Sequence, residues 1–318
     1  MKVLVSDKMA DEAITVLKNA GHEVTFDEMD HDTLLKEIPN YDALMVRSRT
    51  KATTDIVDAG AAGKLKVIGR AGIGVDNIDI ETAGKKGIKV VNSPTGSTKS
   101  VAELTIGQML ALVRFIPKAD SSMKNAEWIK KQLKGTELHG KTLGLIGSSH
   151  IAQHVSKIAN CIGMNVLVYS PNCTDEKAKK MGATRKDLNA LLKESDFVSL
   201  HIPHNDSSHY LINKKNIGLM KEGAYLINSA RGGVVEEEAL YSAIKEGKLS
   251  GAAVDVFEKE PIDKENKLIK LDNVIFTPHI GANTKEAQIQ AGTVCAEQMI
   301  KVLNGEEADF CVNKKFLQ

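Results

Sequence analysis

The sequence predicts an α/β protein with two doubly wound parallel sheets. Short apolar runs alternate with helical patterns from the first residues onward, and a second series of the same kind starts at Thr142. This alternation is typical of parallel sheets that carry helices on both faces. The chain of 318 residues is also long enough for two ordinary domains, each with its own core.

The first series contains strand-length apolar runs at 3–5, 43–46 and 66–68. Short apolar runs bounded by polar residues indicate buried strands. The segment 12–19 lies between the first two runs, and its apolar residues follow a helical period. We therefore expect a strand, a helix and further parallel strands in this part of the chain.

The second series has more members and predicts a larger sheet. Its first strand leads into a helix with one apolar stripe, formed by Ile151, Val155, Ile158 and Ile162. Strands are expected at 143–146, 166–168, 197–200, 224–227, 252–256 and 274–276. Two similar wound sheets therefore follow one another along the chain.

Two helical segments decide the expected domain boundaries. The apolar segment 100–123 lies between the two series and is long enough for a helix that either links the halves or packs against a partner subunit. The last helical pattern, 284–303, follows the final strand and has no strand of its own. We expect it to return to the first domain, which becomes discontinuous. The expected domains are 1–98 with 286–318, and 99–285.

Composition argues against several classes of partner. Lys and Arg number 42 and Asp and Glu 41, so a net charge of +1 creates no long-range field for nucleic acid or an anionic membrane. The four cysteines lack the spacing of a zinc site or a disulfide framework. No signal peptide or transmembrane run is readable. We expect a cytoplasmic protein that binds a small molecule and no metal.

The stretch LGLIGSSHIAQHV resembles the strand, turn and helix of a dinucleotide site. The three glycine places of G-x-G-x-x-G fall on Gly147, Ser149 and Ala152, and only Ser149 is a real departure. The hydroxyl of Ser149 is itself a hydrogen-bond donor, as are Ser148 and His150, and the helix N-terminus favours an anion in any case.

The next strand ends at Ser170, where a ribose-binding acid is usual. Without a carboxylate the selection against a 2′-phosphate is lost, although this stretch has no arginine that could bind a 2′-phosphate. On these two stretches alone, a nucleotide site and an ordinary α/β turn remain equally good interpretations.

Three downstream strand ends carry a set of residues suited to carbonyl chemistry. LINSARGG ends one strand with Arg231, AAVDVFEKEP continues from another to Asp255 and Glu260, and VIFTPHIG ends a third with His279. Because ligands bind beyond the carboxyl ends of parallel strands, these residues are expected to converge. An arginine binds a carboxylate, and a histidine held by a glutamate moves a proton.

With these stretches in view, the sequence resembles the D-isomer-specific 2-hydroxyacid dehydrogenases nearly from end to end. The resemblance also rests on VRSRTK, GRAGIGVDNIDI, VVNSPTGSTKSVAEL, GTELHGKTLGLIG and FVSLHIP. It implies two Rossmann or flavodoxin-like domains, a nicotinamide cofactor and a homodimer. It also leads us to expect that the regulatory domains of some relatives are missing, since the chain ends at Gln318.

The resemblance implies a role for each catalytic residue. Arg231 should bind the carboxylate and carbonyl oxygen of a 2-oxo acid. His279 should be the acid and base, giving a proton to the oxygen in reduction and taking it from the hydroxyl in oxidation. Glu260 should hold the other ring nitrogen, fixing the ring and stabilising its charged form.

Binding residues are carried over in the same way. The expected cofactor contacts are Gly147, Ser149, His150, Ile151, Ser170, His201, Pro203, Ala230 and Asp255. The expected substrate contacts are Arg47, Ser48, Ala71, Gly72 and Ile73, with Arg47 on a phosphate and Arg49 solvated. Lys130 and Lys131, beside Trp128, either reach a neighbouring subunit or lie on an exposed surface.

The resemblance implies oxidation of 3-phosphoglycerate to 3-phosphohydroxypyruvate, a reaction of serine biosynthesis, as the first hypothesis. The alternatives are a reductase of glyoxylate or hydroxypyruvate, and a nucleotide-sensing binding protein like the corepressors that share this fold. NAD is the expected cofactor, with NADP an alternative because of Ser170. His150, His154 and His204 have no metal-site spacing.

Overall fold

The computed structural model describes residues 1–317. The chain divides into two compact units, one formed by Met1–Ser97 with Ala282–Gln318 and the other by Thr98–Gly281. The domain boundaries expected from the sequence, after residues 98 and 285, stay a prediction. Each unit has its own parallel sheet.

Strands and helices alternate through most of the described range. The strands are β1 Lys2–Val5, β2 Glu23–Phe26, β3 Ala43–Val46, β4 Val67–Arg70, β5 Lys89–Asn92, β6 Thr142–Ile146, β7 Asn165–Tyr169, β8 Thr184–Arg185, β9 Phe197–Leu200, β10 Ala224–Asn228, β11 Leu249–Val254 and β12 Val274–Phe276. The α-helices are α1 Asp11–Asn19, α2 His31–Glu37, α3 Thr54–Ala62, α4 Ile80–Lys85, α5 Thr98–Val113, α6 Ile116–Lys124, α7 His150–Cys161, α8 Asp175–Lys180, α9 Leu188–Glu194, α10 Lys214–Leu219, α11 Glu237–Lys245 and α12 Lys285–Leu303.

The first unit has a five-stranded sheet in the order β2-β1-β3-β4-β5, the flavodoxin-like arrangement. Its central strand β3 is buried along its whole length. The C-terminal helix α12 belongs to this unit and packs on β4, where Gly69 leaves room for Met299 and Cys295. A side chain at position 69 would overlap both of these residues.

The second unit has a seven-stranded parallel sheet in the order β12-β11-β10-β9-β6-β7-β8. The strand order reverses between β6 and β9, and ligands of open α/β sheets bind at such switch points. The turn after β6 leads into α7, and the loops after β10, β11 and β12 follow on one side of the reversal. The predicted fold class, two doubly wound parallel sheets, is confirmed.

The segment 100–123, expected as one helix, is broken into α5 and α6. Phe115 adopts a left-handed conformation with φ 54°, and Pro117 stands in the first turn of α6. Proline has no amide hydrogen to continue the helix, so the chain turns by 64° here. Within residues 1–317, only this bent pair taken together is long and apolar enough to cross a membrane, and no single helix is.

Candidate active site

Adjacent strand ends in the second unit bring the predicted catalytic residues together. The amide of Asp255, which follows β11, donates to the carbonyl of Asn228 at the end of β10 over 2.9 Å. The amide of His279, which follows β12, donates to the carbonyl of Asp255 over 2.9 Å. Parallel register therefore places the loops of Arg231 and His279 on either side of Asp255.

His279 and Glu260 form a hydrogen-bonded pair. The Nδ1 atom of His279 lies 2.7 Å from Oε2 of Glu260. The other carboxylate oxygen accepts from the amide of Phe257 over 3.0 Å, which fixes the carboxylate. Because Nδ1 is engaged, Nε2 is the ring nitrogen that can act on a substrate. The histidine side chain is 49% exposed, so a ligand can reach it.

The backbone of His279 is held in an unusual conformation. Its φ of 52° lies in the left-handed region, which costs a non-glycine residue roughly 1 kcal/mol. The buried carboxylate of Asp255 stabilises this loop by accepting from Thr277 Oγ1 over 2.6 Å and from the amides of Ile280 and Gly281 over 2.8 and 2.9 Å. Asp255 therefore shapes the histidine loop, and its contact with the cofactor stays a prediction.

Arg231 begins a compact arginine-glycine-glycine turn. Asn228 brackets the turn, since its side chain accepts from the amide of Ala230 over 3.1 Å and donates to the carbonyl of Arg231 over 3.0 Å. The guanidinium donates to the carbonyl of Ala230 over 2.7 Å and is partly exposed. Any side chain at Gly232 would overlap the backbone of Phe257, so only glycine fits there.

The turn after β6 has the shape of a phosphate-binding turn. Gly147 has φ 112°, and a Cβ at this position would overlap the carbonyl of His201. Ser149 is the N-cap of α7, because its Oγ accepts from the amide of Ala152 over 3.4 Å. The capping bond leaves the hydroxyl hydrogen as a donor. Sequence reasoning treated Ser149 as a lost glycine and missed this capping role.

The expected adenosine-side residues lie at the ends of β7 and β9. Ser170 is partly buried and opens a tight turn, with its carbonyl accepting from the amide of Cys173 over 3.1 Å. His201 is buried against Ser199 at 2.9 Å, and burial lowers the pKa of His201 to about 4, so its ring is neutral. Pro203 is exposed.

His204 lies over the arginine turn. Its Nε2 is 3.0 Å from Nδ1 of His209, and its ring occupies the space that a side chain at Gly233 would need. Sequence reasoning considered His204, with His150 and His154, as a metal ligand and rejected it on spacing. Among residues 1–317 no three His, Cys, Asp or Glu side chains are grouped so as to hold a metal ion.

In the first unit, the expected substrate residues follow β3 and β4. The amide of Arg47 donates to Asp7, and its guanidinium donates to the carbonyl of Lys8 over 3.3 Å. Ser48 is exposed. The expectation that Arg49 is merely solvated is wrong, because its Nε lies 3.3 Å from the buried carboxylate of Asp7 and its guanidinium also donates to the carbonyls of Ser6 and Met29.

The Ala71–Ile73 segment runs alongside an arginine that sequence reasoning missed. Gly72 has φ 153°, and the guanidinium of Arg70 occupies the space next to its Cα. The side chain of Asn92 donates to the carbonyl of Ile73 over 2.6 Å and fixes the far end of the segment. Arg70 pairs with Val46 across β3 and β4, so its strand end lies beside that of Arg47. The visible signal was an arginine at a strand end immediately before the small residues of GRAGIG.

Comparison with known proteins agrees with this arrangement. Residues 106–281 match the family model described as the D-isomer specific 2-hydroxyacid dehydrogenase, NAD binding domain. D-3-phosphoglycerate dehydrogenase of Methanocaldococcus jannaschii is 50% identical over 314 residues, 98% of this chain and 59% of that protein. Hydroxypyruvate reductase of Thermotoga maritima is 48% identical over 305 residues, 95% of this chain and 98% of that protein.

Solved structures give the same result at the level of the fold. A crystal structure of a protein from Thermus thermophilus matches with a TM-score of 0.89 at 33% identity, covering 98% of this chain and all of the other. A glyoxylate reductase from Paecilomyes thermophila matches with a TM-score of 0.89 at 25% identity, covering 99% of both. The chain spans under three fifths of the length of the phosphoglycerate dehydrogenases that it matches.

Proposed function

Because the chain belongs to the family of D-isomer-specific 2-hydroxyacid dehydrogenases, we propose that it moves a hydride between a nicotinamide cofactor and a small D-2-hydroxy acid. The pair that the chemistry favours is 3-phosphoglycerate and 3-phosphohydroxypyruvate. The single observation that carries the proposal is the pair formed by His279 and Glu260. His279 follows β12, and Arg231 follows β10, which is two strands along the same sheet.

The residues around the switch point fit a dinucleotide. Gly147 leaves a space that a Cβ would fill, and the amides at the start of the twelve-residue helix α7 point out of the same turn. Gly147, Ser149, His150 and Ile151 would hold the pyrophosphate, with Ser170, His201, Pro203, Ala230 and Asp255 as the further proposed contacts. When bound, NAD supplies or accepts the hydride.

His279 and Glu260 would handle the proton. Because Glu260 accepts at Nδ1, the neutral ring carries its hydrogen there and has a lone pair on Nε2. During oxidation Nε2 takes the hydroxyl proton of the substrate, and the carboxylate stabilises the positive charge that results. During reduction the imidazolium returns that proton to the carbonyl oxygen.

Each unit contributes an arginine that we propose as a substrate ligand, Arg231 for a carboxylate and Arg47 for a phosphate. The guanidinium of Arg231 suits the substrate carboxylate because it offers two parallel donors. Arg47 and the neighbouring strand end of Arg70 supply positive charge for a phosphate, and the segment Ala71–Ile73 offers backbone amides. Ser48 is a further donor on the same loop.

Reduction of hydroxypyruvate or glyoxylate is the second candidate. The observation that favours it is the relative from Thermotoga maritima, which this chain matches over nearly its full length and which bears the name hydroxypyruvate reductase. The two candidates share the catalytic residues and differ only in the need for a phosphate ligand. A nucleotide-sensing binding protein is less well supported, since it has no use for the pair formed by His279 and Glu260.

An absorbance assay separates these candidates. The oxidation of NADH and of NADPH is followed at equal concentrations of hydroxypyruvate phosphate, hydroxypyruvate and glyoxylate. We expect the highest kcat/KM with the phosphorylated acid, and Arg47→Ala should raise its KM more than the KM for glyoxylate. A higher kcat/KM for hydroxypyruvate would favour the second candidate, and no turnover of any acid would contradict an enzymatic role.

We also propose a cytoplasmic homodimer. Exposed apolar side chains are concentrated on α5, α6 and the segment after them: Leu110, Ile116, Met123 and Trp128, the last of them 77% exposed. Such a surface is typical of a subunit interface. All four cysteines are free thiols, which suits a reducing compartment. Sedimentation of the wild type and of a Met123→Glu variant tests the dimer.

A further inference from the structure

A buried carboxylate in the first unit holds the loop of Arg47. Asp7 follows β1 and is only 3% exposed. Its Oδ2 accepts from the amide of Arg47 over 2.6 Å, and its Oδ1 accepts from the amide and hydroxyl of Thr50 over 3.1 and 2.5 Å. The Nε of Arg49 lies 3.3 Å from the same Oδ1. One carboxylate thus binds three of the four residues 47–50, which form the loop after β3.

A second side chain binds the same loop through its carbonyl groups. The amide nitrogen of Asn77 donates to the carbonyl of Arg47 over 2.9 Å and to the carbonyl of Thr50 over 2.7 Å. Asp7 therefore accepts hydrogen bonds from the amides of the loop, and Asn77 donates hydrogen bonds to its carbonyl groups. We name these two side chains the loop clamp.

We propose that Asp7 is a positioning residue, which acts through Arg47 and sets the preference of the enzyme for a phosphorylated acid. This inference rests on the proposed function, in which Arg47 binds the substrate phosphate. Asp7 itself is buried and does not meet the substrate. Its effect is to fix the backbone at Arg47, so that the guanidinium has few orientations to lose when the phosphate binds.

The charge of Asp7 is essential to this role. A carboxylate is an acceptor at both oxygens, and all the groups that face it are donors. Asp7→Asn would turn an amide NH2 toward those donors and leave the buried end of the Arg49 pair without its countercharge. We expect the loop to lose its fixed conformation, although the buried strands on either side remain.

Hydrogen exchange tests the clamp without any substrate. In the wild type the amides of Arg47 and Thr50 are bonded to Asp7, so a peptide covering residues 44–52 should exchange slowly at both. In Asp7→Asn their exchange should accelerate at least ~10-fold. Asn77→Ala is the second variant, since it releases the carbonyl side of the same loop. Asp32→Asn, an exposed change on α2, is the matched control.

Kinetics test whether the clamp acts through Arg47. For Asp7→Asn we expect kcat/KM to fall about 10-fold or more with hydroxypyruvate phosphate, mainly through KM, and less than about threefold with glyoxylate. The affinity for NADH should not change. The double variant Asp7→Asn/Arg47→Ala should be no worse than Arg47→Ala alone, since both changes remove the same phosphate contact.

The outcomes distinguish this inference from the function on which it rests. Unchanged exchange at residues 44–52 in both clamp variants would overturn the inference, whatever the enzyme turns over. Equal losses for all acids, or additive losses in the double variant, would reduce Asp7 to a structural role. The wild type could instead fail to turn over hydroxypyruvate phosphate while exchange is accelerated in both variants. That result would contradict the proposed substrate and support the clamp.

Discussion

Gln108 on α5 donates a hydrogen bond from Nε2 to Oγ1 of Thr277 over 3.0 Å, two residues before His279. Its Oε1 accepts from the hydroxyl of Ser229 over 3.1 Å, two residues before Arg231. One buried amide therefore connects the strand end of the proposed acid-base residue to the strand end of the proposed substrate-binding arginine.

Replacing Gln108 by Met should loosen both strand ends. The change removes the acceptor of the half-buried Ser229 hydroxyl and one donor to Thr277, whose hydroxyl still donates to Asp255, and should cost about 1 kcal/mol of unfolding free energy. We expect kcat to fall as well, because Arg231 and His279 lose a common support. Urea unfolding and steady-state kinetics measure the two effects. Gln132→Met, at an exposed position, is the control, and an unaltered kcat in a destabilised Gln108→Met would show that the bridge serves stability alone.

Removing the imidazole should abolish most of the turnover. We expect His279→Ala to lower kcat by about 10²–10⁴-fold, the usual contribution of a positioned acid or base. Binding of NADH, measured by fluorescence titration, should be retained because His279 lies at β12 while the phosphate turn follows β6. A variant that keeps more than a tenth of the wild-type kcat would remove His279 from the proposed mechanism.

Glu260→Gln separates charge from geometry in the same pair. The amide keeps the size of the carboxylate but no longer balances a positive imidazolium 2.7 Å away. We expect kcat to fall with little change in the affinity for NADH. Glu265→Gln, an exposed change, is the matched control. Wild-type kcat in Glu260→Gln would mean that the carboxylate only orients the ring.

Burial of His201 makes stability depend on pH. Its folded pKa of about 4 lies below the ordinary value of 6.5, so the unfolded chain binds more protons between these limits. Unfolding free energy should therefore decrease as the pH falls from 6.5 toward 4, by about 3 kcal/mol in all from this group. Above pH 6.5 the imidazole is neutral in both states and contributes no slope.

Urea unfolding at a series of pH values checks this expectation. His201→Gln has no titrating ring, so its stability should fall less between pH 6.5 and 4 than that of the wild type. His139→Gln, an exposed histidine, should keep the wild-type slope. Identical slopes in all three proteins would show that His201 is not titrating as burial requires.

The sequence predicted the layers of this fold better than its edges. Buried central strands such as β3 were found because every residue in them is apolar. The edge strand β2 was missed because none of its residues is fully buried, and the break between α5 and α6 was missed although Pro117 marks it. Local sequence patterns indicate buried strands and helix ends. They predict a strand least well when it has only one neighbour in the sheet.

The candidate site was predictable where its residues occupy recognisable motifs. Arg231, Glu260 and His279 each lie in a motif that follows a predicted strand, and the structure brings the last two into contact. Asp7 and Gln108 were missed because their partners lie 40 or more residues away along the chain, at Arg47 and Thr277. No local pattern encodes such distant hydrogen bonds.

Cofactor choice should turn on Ser170. This residue stands at the end of β7, where a carboxylate would bond the adenosine ribose and repel a 2′-phosphate. Ser170→Asp is therefore expected to raise the ratio of kcat/KM for NADH to that for NADPH by roughly 10-fold, the worth of one charged hydrogen bond of about 1.5 kcal/mol. Asn172→Asp adds the same charge two residues further on. It should change the ratio much less, because residue 172 lies in the turn beyond the end of β7. If both variants shift the ratio equally, the general charge of this edge governs the choice rather than the position at the end of β7.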